Sequence, residues 1–423
     1  MVKLLIIADD LTGALDTAGP FTSQGIGSLV TNLIDPDLSL LPDSAEVLSI
    51  NTETRHLGAK EAYDRVYSAV ESARRQGVRH FYKKTDSALR GNIGAELSAL
   101  ADASGVPAVA FVPAYPQIGR KTVLGVQYID GVPLHETSYA RDPLNPIKTS
   151  SVADILSGVT AGRISNLAAG GFPYGDANGI LVYDSSSEAD LHLTSSVLKE
   201  RGLLAATAGC AGFAGVLPSV IDFDGGFTLC PPRLEKILFL AGSVNPATLE
   251  QANFAIESGI SGEVLSFEQR FDKNYHKTPS GRAFSEKTAN ALSSKKAFLI
   301  QSVDDLSLLA QTEIQAAKYG LDLNSMHEQI AENISRLVLP AVPFADVIAV
   351  FGGDTLLGLI KELSLTGLRP CREILPGVVL SKAERLLESE RDLWIVSKSG
   401  GFSGKNIIPE IIRLLNGEEI PAL

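Results

Sequence analysis

Two adjacent carboxylates stand directly after the first apolar run of the chain. Leu4–Ala8 are all apolar, and Asp9 and Asp10 follow them before a Thr-Gly-Ala segment that suits the start of a helix. Ligands of open α/β sheets bind beyond the carboxyl ends of the strands. We therefore interpret the pair as a candidate site in which one carboxylate faces a ligand hydroxyl group while the other caps the helix. In the alternative interpretation, both are only turn and N-cap residues.

Cationic and polar residues follow two further apolar runs. Arg55 comes shortly after Val47–Asn51, and its planar guanidinium group suits a carboxylate ligand. The segment Lys83–Gly94 leads from a strand pattern into a helix pattern, which predicts an anion site at a helix N-terminus. Carboxylates that bind hydroxyl groups, beside Arg or Lys that binds an acid group, suit a polyhydroxylated acid. The alternatives are an ordinary surface arginine at 55 and a solvated turn with an Asp86–Arg90 salt bridge.

Three loops rich in Gly, Ser and Thr follow apolar runs in the second half of the chain. They are Gly242–Pro246, Gly352–Thr355 and Ser397–Lys405. Glycines after a strand let backbone N–H groups approach phosphate oxygens, and the dipole of the following helix adds to the attraction. Three such loops at one edge of a sheet suit a nucleotide, whereas the alternative is a set of ordinary tight turns.

Apolar runs and helical patterns alternate along most of the chain. This alternation predicts crossover units and a mostly parallel sheet. Apolar residues at helical spacing predict a helix over Ala59–Gln76, with Gly77 as its stop. The expected strands are Leu4–Ala8, Val47–Asn51, Val78–Lys83, Ala108–Val112, Ile180–Tyr183, Leu204–Ala208, Lys236–Leu240, Ala297–Gln301, Asp346–Phe351 and Leu393–Ser397.

A break in the pattern at residues 225–235 predicts two domains. Gly225-Gly226 and Pro231-Pro232 interrupt it before a fresh strand begins. We expect an α/β protein with domains at 1–230 and 231–423, each a mostly parallel sheet flanked by helices. Residues 112–178 carry many Pro and Gly and little periodicity, which predicts a loop-rich region that is functional or an elaborated subdomain. Trp394 is expected in the core of the second domain.

Composition narrows the class of protein. The 423 residues are 45% hydrophobic and 20% charged, as in globular proteins, and a net charge of −12 argues against a nucleic-acid partner. Three widely separated cysteines exclude a disulfide framework and favour a reducing compartment, so we expect a cytoplasmic protein. No apolar stretch approaches the roughly 18 residues of a membrane span.

Several common motifs are missing from the sequence. The six histidines are scattered without metal-ligand spacing, so no metal site built from protein side chains is expected. No Gly-x-Gly-x-x-Gly stands in the first crossover, as a dinucleotide fold would need. The segment Gly400–Lys405 is one residue short of a Walker A spacing, and Asn406 stands where Ser or Thr is needed.

Three segments are similar to the signatures of the four-carbon acid-sugar kinases, and the similarity runs over nearly the whole chain. They are Ile7–Ala14, Lys84–Asn92 and Lys398–Phe402. Members of this family phosphorylate tetronates such as threonate, erythronate or 3-oxo-tetronate with ATP. The Lys-Thr-Asp-Ser loop resembles the threonate and erythronate kinases more than the 3-oxo-tetronate enzymes.

The resemblance implies that residues 1–230 bind the acid sugar and residues 231–423 bind ATP. The acid-sugar residues would be Asp9, Asp10, Arg55, Lys84, Thr85, Asp86, Ser87 and Arg90. The nucleotide residues would be Ser243, Gly352, Gly353, Asp354, Thr355, Lys398, Gly400 and Gly401. Asp10 or Asp86 would be catalytic by orienting the terminal hydroxyl group or accepting its proton, with Asp10 preferred. Transfer would be in line, with Mg²⁺ bridging the phosphates.

The chain departs from the family pattern at two places near the nucleotide. Asp354 stands where Glu is expected, and Ser403 is inserted after Phe402. The expected partners are an acid sugar and ATP, with no nucleic acid or membrane, and a homodimer is the default assembly. The alternatives are a 3-oxo-tetronate kinase, a dehydrogenase on a similar sheet, and a sensor that binds an acid sugar without catalysis.

Overall fold

The α/β fold class expected from the sequence is confirmed. The computed structural model describes residues 1–142, 145–156, 162–173, 175–243, 245–305, 309–375, 377–385, 392–398 and 404–417. The chain divides into two compact units, Met1–Thr228 (unit 1) and Leu229–Leu423 (unit 2). Each unit has a mostly parallel sheet flanked by helices.

Unit 1 has the predicted alternation of strands and helices together with several strands that the sequence did not predict. Its strands are β1 Leu4–Ala8, β2 Ser28–Thr31, β3 Val47–Asn51, β4 His80–Lys84, β5 Ala108–Val112, β6 Arg120–Val123, β7 Val126–Ile129, β8 Val132–Pro133, β9 Ile164–Leu167, β10 Gly179–Tyr183 and β11 Ala206–Gly209. Its helices are α1 Leu11–Ser23, α2 Ala59–Arg75, α3 Ile93–Ser104, α4 Val152–Leu156, α5 Glu188–Glu200 and α6 Ala211–Ala214.

The main sheet of unit 1 has the strand order β2-β3-β1-β4-β11-β5-β10-β9, and its neighbouring strands are parallel. Strand β1 lies between β3 and β4, and Ala8 is level with both Asn51 and Lys84. The chain therefore crosses from one side of β1 to the other on entering β4. In such sheets this crossing point is where ligands bind.

Both faces of this sheet are buried, which explains why β1 is apolar throughout. Leu5 and Ile7 join a core with α2 and α3, whereas Leu4 and Ile6 join a core with α1, α5 and α6. Helix α2 covers the sheet with an apolar stripe and ends just before Gly77, which has φ +96°. The predicted helix and its stop are thus confirmed.

A small antiparallel sheet, β6-β7-β8, stands where the sequence predicted a loop-rich region. Its two tight turns carry positive φ at Leu124-Gly125 and at Asp130-Gly131. The Asp-Gly pair is a hairpin signal that could have predicted one of these turns. The sheet joins the rest of unit 1 through backbone hydrogen bonds between Thr122 and Ser185. The loop-rich region predicted over 112–178 therefore contains a small sheet of its own.

Unit 2 repeats the alternation and adds a long hairpin. Its strands are β12 Ile237–Ala241, β13 Gly262–Val264, β14 Ala297–Gln301, β15 Val347–Phe351, β16 Leu365–Leu375, β17 Val378–Arg385 and β18 Trp394–Lys398. Its helices are α7 Pro246–Glu257, α8 Phe267–Phe271, α9 Pro279–Ser294, α10 Leu309–Lys318, α11 Leu323–Val338, α12 Gly353–Glu362 and α13 Ile407–Leu415.

The sheet of unit 2 runs β13-β14-β12-β15-β18 in parallel and continues antiparallel through β17 to β16. Ala241, Phe351 and Lys398 are level at the carboxyl ends of β12, β15 and β18. Trp394 is buried in the core of this unit, as expected. Among the described residues, no helix combines the length and the apolar character that a membrane span needs.

Candidate functional site

The strand ends of unit 1 bring three predicted loops together. Because Ala8, Asn51 and Lys84 are level, the residues that follow them leave the sheet at one edge. A Cβ atom at Gly91, which has φ +92°, would lie 3.4 Å from Arg55 Cα, so the third loop packs on the second. The structure therefore assembles the predicted residues of these loops into one cluster.

Arg55 links two of these strand ends through the adjacent carboxylates. Its Nε and Nη2 donate to the Asp9 carboxylate at 2.7 and 3.1 Å, a two-point ion pair. Its Nη1 donates to Asp10 Oδ2 at 2.9 Å. The Asp9 side chain is 2% exposed, and both of its carboxylate oxygens accept hydrogen bonds from Arg55. In this arrangement Asp9 fixes the orientation of Arg55.

Asp10 takes the helix-capping role that the sequence assigned to one of the paired acids. It is the N-cap of α1 and accepts a hydrogen bond from Gly13 N at 3.0 Å. The Thr12 hydroxyl donates to Asp10 Oδ2 at 2.8 Å. With a quarter of its side chain exposed, Asp10 is the most accessible of the carboxylates that face Arg55.

Asp86 and Arg90 form the ion pair that the alternative interpretation expected, but the pair is mostly buried. Arg90 Nε and Nη2 donate to the two Asp86 oxygens at 2.8 and 3.0 Å. Arg90 Nη1 donates to Asp142 at 3.0 Å, and the guanidinium group lies over the Tyr139 ring. Arg55 Nη2 lies 3.8 Å from Asp86 Oδ1, which joins this pair to the first one.

Among the residues that the structure describes, Lys84 has the fewest hydrogen-bond partners of the cations in the cluster. Its ammonium group is buried and donates to the Thr85 carbonyl at 2.9 Å. Its positive charge also acts electrostatically on the carboxylates of Asp10 and Asp86. An ammonium group has three donors. Lys84 therefore keeps donor capacity toward a ligand, whereas Arg55 and Arg90 are engaged by carboxylates.

The cations set the ionisation of both candidate catalytic acids. Burial alone would raise the pKa of Asp10, but the charges of Arg55 and Lys84 outweigh it and lower the pKa. Burial likewise opposes ionisation of Asp86, yet Arg90 and Arg55 hold its pKa well below the usual range. Both groups are carboxylates at neutral pH and can accept a hydrogen bond from a hydroxyl group.

Thr85 and Ser87 are the remaining predicted residues of the loop after β4, and they have different surroundings. Thr85 is buried, its backbone N donates to Gly209 O at 2.8 Å, and its hydroxyl has no partner among the described residues. The Ser87 carbonyl accepts a hydrogen bond from Gln127 Nε2 at 3.4 Å. Of these two residues, Thr85 is thus the one whose buried hydroxyl lacks a partner in the described part of the chain.

Sequence reasoning missed Asp142. It lies in the Pro- and Gly-rich stretch, in which no site residue was predicted, and 52 positions separate it from Arg90. The backbone N of Asn145 donates to Asp142, and the Asn145 side chain bonds the His56 ring. Asp142 and Asn145 thereby contact the loops that carry Arg90 and Arg55. The pairing of Asp142 with Arg90 depends on tertiary packing, so the sequence did not predict it.

In unit 2 the predicted loops also meet at one sheet edge. Gly352 has φ +113°, and a Cβ atom there would lie 3.1 Å from Ser243 Cβ. A Cβ atom at Gly242 would overlap the Thr355 hydroxyl, so glycine at 242 lets the two loops touch. Gly353 and Asp354 begin α12, whose N-terminus faces this edge. Gly400 and Gly401 lie outside the described residues.

Lys398 ends β18 at the same edge. Its side chain is buried, and its Nζ lies 5.4 Å from the centre of the Phe351 ring. Burial lowers the pKa of Lys398 to about 8. A nearby anion would favour the charged form of this group.

Neither cluster resembles a metal centre. Across the ranges that the structure describes, no three His, Cys, Asp or Glu side chains are grouped as metal ligands. The oxygens of Asp9, Asp10 and Asp86 already accept hydrogen bonds from cations or backbone N–H groups. These carboxylates therefore do not form a ready site for a metal ion.

Two family models match the chain, one for each unit. A model described as a sugar-binding N-terminal domain matches residues 4–217. A model described as a nucleotide-binding C-terminal domain matches residues 238–408. Both charged and polar clusters described above fall within the matched ranges.

Similar proteins match over nearly the full length. A D-threonate kinase of Bordetella bronchiseptica is 31% identical over 418 residues, 95% of each chain. A D-erythronate kinase of Heliobacterium modesticaldum is 26% identical over all of both chains. A 3-oxo-tetronate kinase of Burkholderia multivorans is 24% identical over 97% of each.

Solved structures show the same fold. A protein of Salmonella typhimurium matches with a TM-score of 0.77 at 22% identity, over 98% of this chain and all of its own. A Haemophilus influenzae protein matches with a TM-score of 0.71 at 20% identity, over 96% and 98% of the two chains. At these identities the likeness concerns the fold.

Proposed function

The chain belongs to the four-carbon acid-sugar kinase family, and on that premise we propose that it transfers the γ-phosphoryl group of ATP to the terminal hydroxyl group of a tetronate. Unit 1 would bind the acid sugar and unit 2 the nucleotide. The observation that carries this proposal is the cluster of carboxylates and cations at the ends of β1, β3 and β4.

Lys84 is the group that we assign to the negative charge of the substrate. A tetronate has a carboxylate at one end and accepts a phosphoryl group at the other. Lys84 keeps donor capacity in a buried position, where a charge-assisted hydrogen bond is stronger than in water. Arg55 and Arg90, fixed by Asp9 and Asp142, would supply further positive charge around the bound anion.

Asp10 and Asp86 are the groups that we assign to the hydroxyl groups. Each Asp10 oxygen meets Arg55 and one further donor, Gly13 N or the Thr12 hydroxyl. Asp86 Oδ1 accepts a hydrogen bond from Arg90. This difference favours Asp86, in place of the Asp10 preferred from the sequence, as the acceptor for the attacking hydroxyl group, with Asp10 helping to orient that group. Because both carboxylates are weak bases, catalysis would rest on positioning more than on proton removal.

The nucleotide phosphates would lie against the loops that carry Ser243 and Gly352–Thr355. Backbone N–H groups at the start of α12 and the helix dipole suit phosphate oxygens. Lys398 would contribute positive charge, and Gly400 and Gly401 keep their predicted role in the same site. Mg²⁺ would enter bound to the ATP phosphates, as this ion commonly does, and would neutralise part of their charge.

D-Threonate and D-erythronate are the substrates that we favour. The D-threonate kinase of Bordetella bronchiseptica shares 31% of its residues with this chain, compared with 24% for the 3-oxo-tetronate kinase of Burkholderia multivorans. A 3-oxo-tetronate remains the alternative substrate. We also propose a cytoplasmic location, which agrees with the three free cysteines. A homodimer is the assembly that we propose.

The test is ADP release by the purified protein with ATP and Mg²⁺, measured with and without each acid sugar. We expect D-threonate or D-erythronate to stimulate release strongly, with L-threonate and 3-oxo-tetronate as comparisons. Stimulation by 3-oxo-tetronate alone would select the alternative substrate. Stimulation by none of the four would overturn the proposal, and tight binding without transfer would instead indicate a sensor.

A further inference from the structure

A buried pair of charged residues lies beneath the charged cluster of unit 1, and the function proposed above gives this pair no role. Glu96, on α3, is 1% exposed, and its partner Lys83, on β4, is fully buried. Lys83 Nζ lies 3.2 Å from Glu96 Oε2. Charged groups are rarely buried so completely, because the loss of hydration is costly unless the pair is well bonded.

The two residues that Glu96 contacts each precede a cation of the cluster. The Thr54 hydroxyl donates to Glu96 Oε1, and Thr54 is followed by Arg55. Lys83 is followed by Lys84, and Lys83 Nζ also donates to the Lys84 carbonyl at 2.8 Å. One carboxylate on α3 thus holds the chain on the inner side of both loops.

Further contacts of these loops add to this connection. The Thr54 and Thr52 hydroxyl groups lie 2.9 Å apart, and Thr52 donates to the Ala8 carbonyl, which precedes Asp9. On the same helix end, Asn92 Nδ2 donates to the carbonyls of Thr54 and Leu57, each at 2.9 Å. The ends of β1, β3 and β4 are therefore tied to one another below the surface that carries the charged side chains.

We propose that Glu96 is a positioning residue for acid-sugar phosphorylation, acting through Thr54 on Arg55 and through Lys83 on Lys84. It does not touch the substrate. Its role is to fix the backbone of the two loops so that Arg55 and Lys84 contact the same substrate anion. Misplacement of catalytic groups by about 1 Å can reduce rates by about 100-fold. This inference rests on the function proposed above.

The sharpest test is Thr54→Val, which removes the hydroxyl contact to Glu96 and leaves the Lys83–Glu96 pair in place. Thr54→Ser restores the hydroxyl group. Thr194→Val is the matched control, because Thr194 is a fully buried threonine on α5 whose hydroxyl accepts a hydrogen bond from Gly170 N. For each protein we would measure kcat, the KM values for D-threonate and ATP, and the Tm.

We expect Thr54→Val to lower kcat/KM for the acid sugar by about tenfold or more, to leave the KM for ATP unchanged, and to lower the Tm no more than Thr194→Val does. Thr54→Ser should recover most of the activity. Wild-type kinetics in Thr54→Val, or an equal loss in Thr194→Val, would overturn the inference. A wild-type protein that no acid sugar stimulates would instead overturn the proposed function and leave the packing of Glu96 untouched.

Discussion

At the scale of single residues, the candidate site separates groups that bind a ligand from groups that hold other side chains. Asp9 and Asp142 are engaged by Arg55 and Arg90, so they set the orientation of those guanidinium groups. Lys84 keeps donor capacity in the same cluster. Residue type alone does not make this distinction, because it depends on which partner each side chain has already met.

Replacing Lys84 by Met should lower kcat/KM for the acid sugar by about 100-fold, since a charge-assisted hydrogen bond to a carboxylate contributes about 2–3 kcal/mol. Steady-state kinetics with varied D-threonate would measure the loss. Lys60→Met is a suitable control, because Lys60 is exposed on α2 and pairs with Asp64. An unchanged KM and kcat in Lys84→Met would contradict the assignment of Lys84 to the substrate anion.

Lys398 predicts a pH dependence of stability in unit 2. Burial lowers its pKa from 10.5 to about 8, so the unfolded chain binds more protons at this residue between these two values. Through this residue, the free energy of unfolding of the wild-type protein should therefore rise with pH in this window, by about 3 kcal/mol at most. At a pH below the folded-state pKa, Lys398 is charged in the folded protein, so the full cost of burying this charge lowers the stability.

The comparison protein for this prediction is Lys398→Met. Urea unfolding followed by the fluorescence of Trp394, the single tryptophan, would report on unit 2 from about pH 7 to about pH 10. The stability of the variant minus that of the wild type should decrease as the pH rises. A difference that stays constant over this range would contradict the lowered pKa.

At the scale of secondary-structure elements, strand register explains why distant residues meet. Asp10, Arg55 and Lys84 come from separate segments but follow strands whose last residues are level. The start of α1 is equally constrained, because a Cβ atom at Gly13 would lie 2.4 Å from Asp10 Oδ1 and 2.9 Å from Lys84 Nζ. Glycine there leaves room for both charged groups.

Gly13→Ala should therefore reduce kcat/KM for the acid sugar by about tenfold or more, although alanine favours a helix over glycine by about 1 kcal/mol. Kinetics and thermal unfolding would separate the two effects. In the control Gly215→Ala, the new Cβ atom would meet only backbone oxygens at 3.4 and 3.6 Å. Full activity in Gly13→Ala would show that the first turn of α1 need not be this close to the cluster.

The elements that the sequence predicted well are buried strands and amphipathic helices, since their apolar patterns are local. Strand β1 and helix α2 follow such patterns, and the loops after β1, β3 and β4 follow from them.

The long hairpin of β16 and β17 was missed. Its register shifts three times, and Pro370 and charged residues interrupt its pattern. Asp142 and Glu96 were missed because their partners are fixed only by tertiary packing.

At the scale of the whole molecule, the two units carry different chemistry. Unit 1 presents charged side chains at its strand ends, whereas unit 2 presents glycines, hydroxyl groups and the N-terminus of α12. The first set suits a small polyhydroxylated anion, and the second suits phosphates that backbone N–H groups can bind. We expect substitutions in the two units to affect different substrates.

Arg55→Lys should raise the KM for the acid sugar by about tenfold or more and leave the KM for ATP within about twofold, because lysine cannot replace the two-point pair with Asp9. Thr355→Val should do the reverse. Arg75→Lys, an exposed replacement on α2, provides a control. If either variant raised both KM values equally, the division of labour between the units would be wrong.

The most direct measurement of the central claim is the ³¹P NMR spectrum of the product formed from ATP and D-threonate. The account predicts a phosphomonoester signal split by the two protons of a terminal CH₂ group, appearing as ADP forms, and greatly weakened in the Lys84→Met protein. A signal split by one proton would place the phosphate on a secondary hydroxyl group. Inorganic phosphate alone, with no sugar ester, would contradict the account.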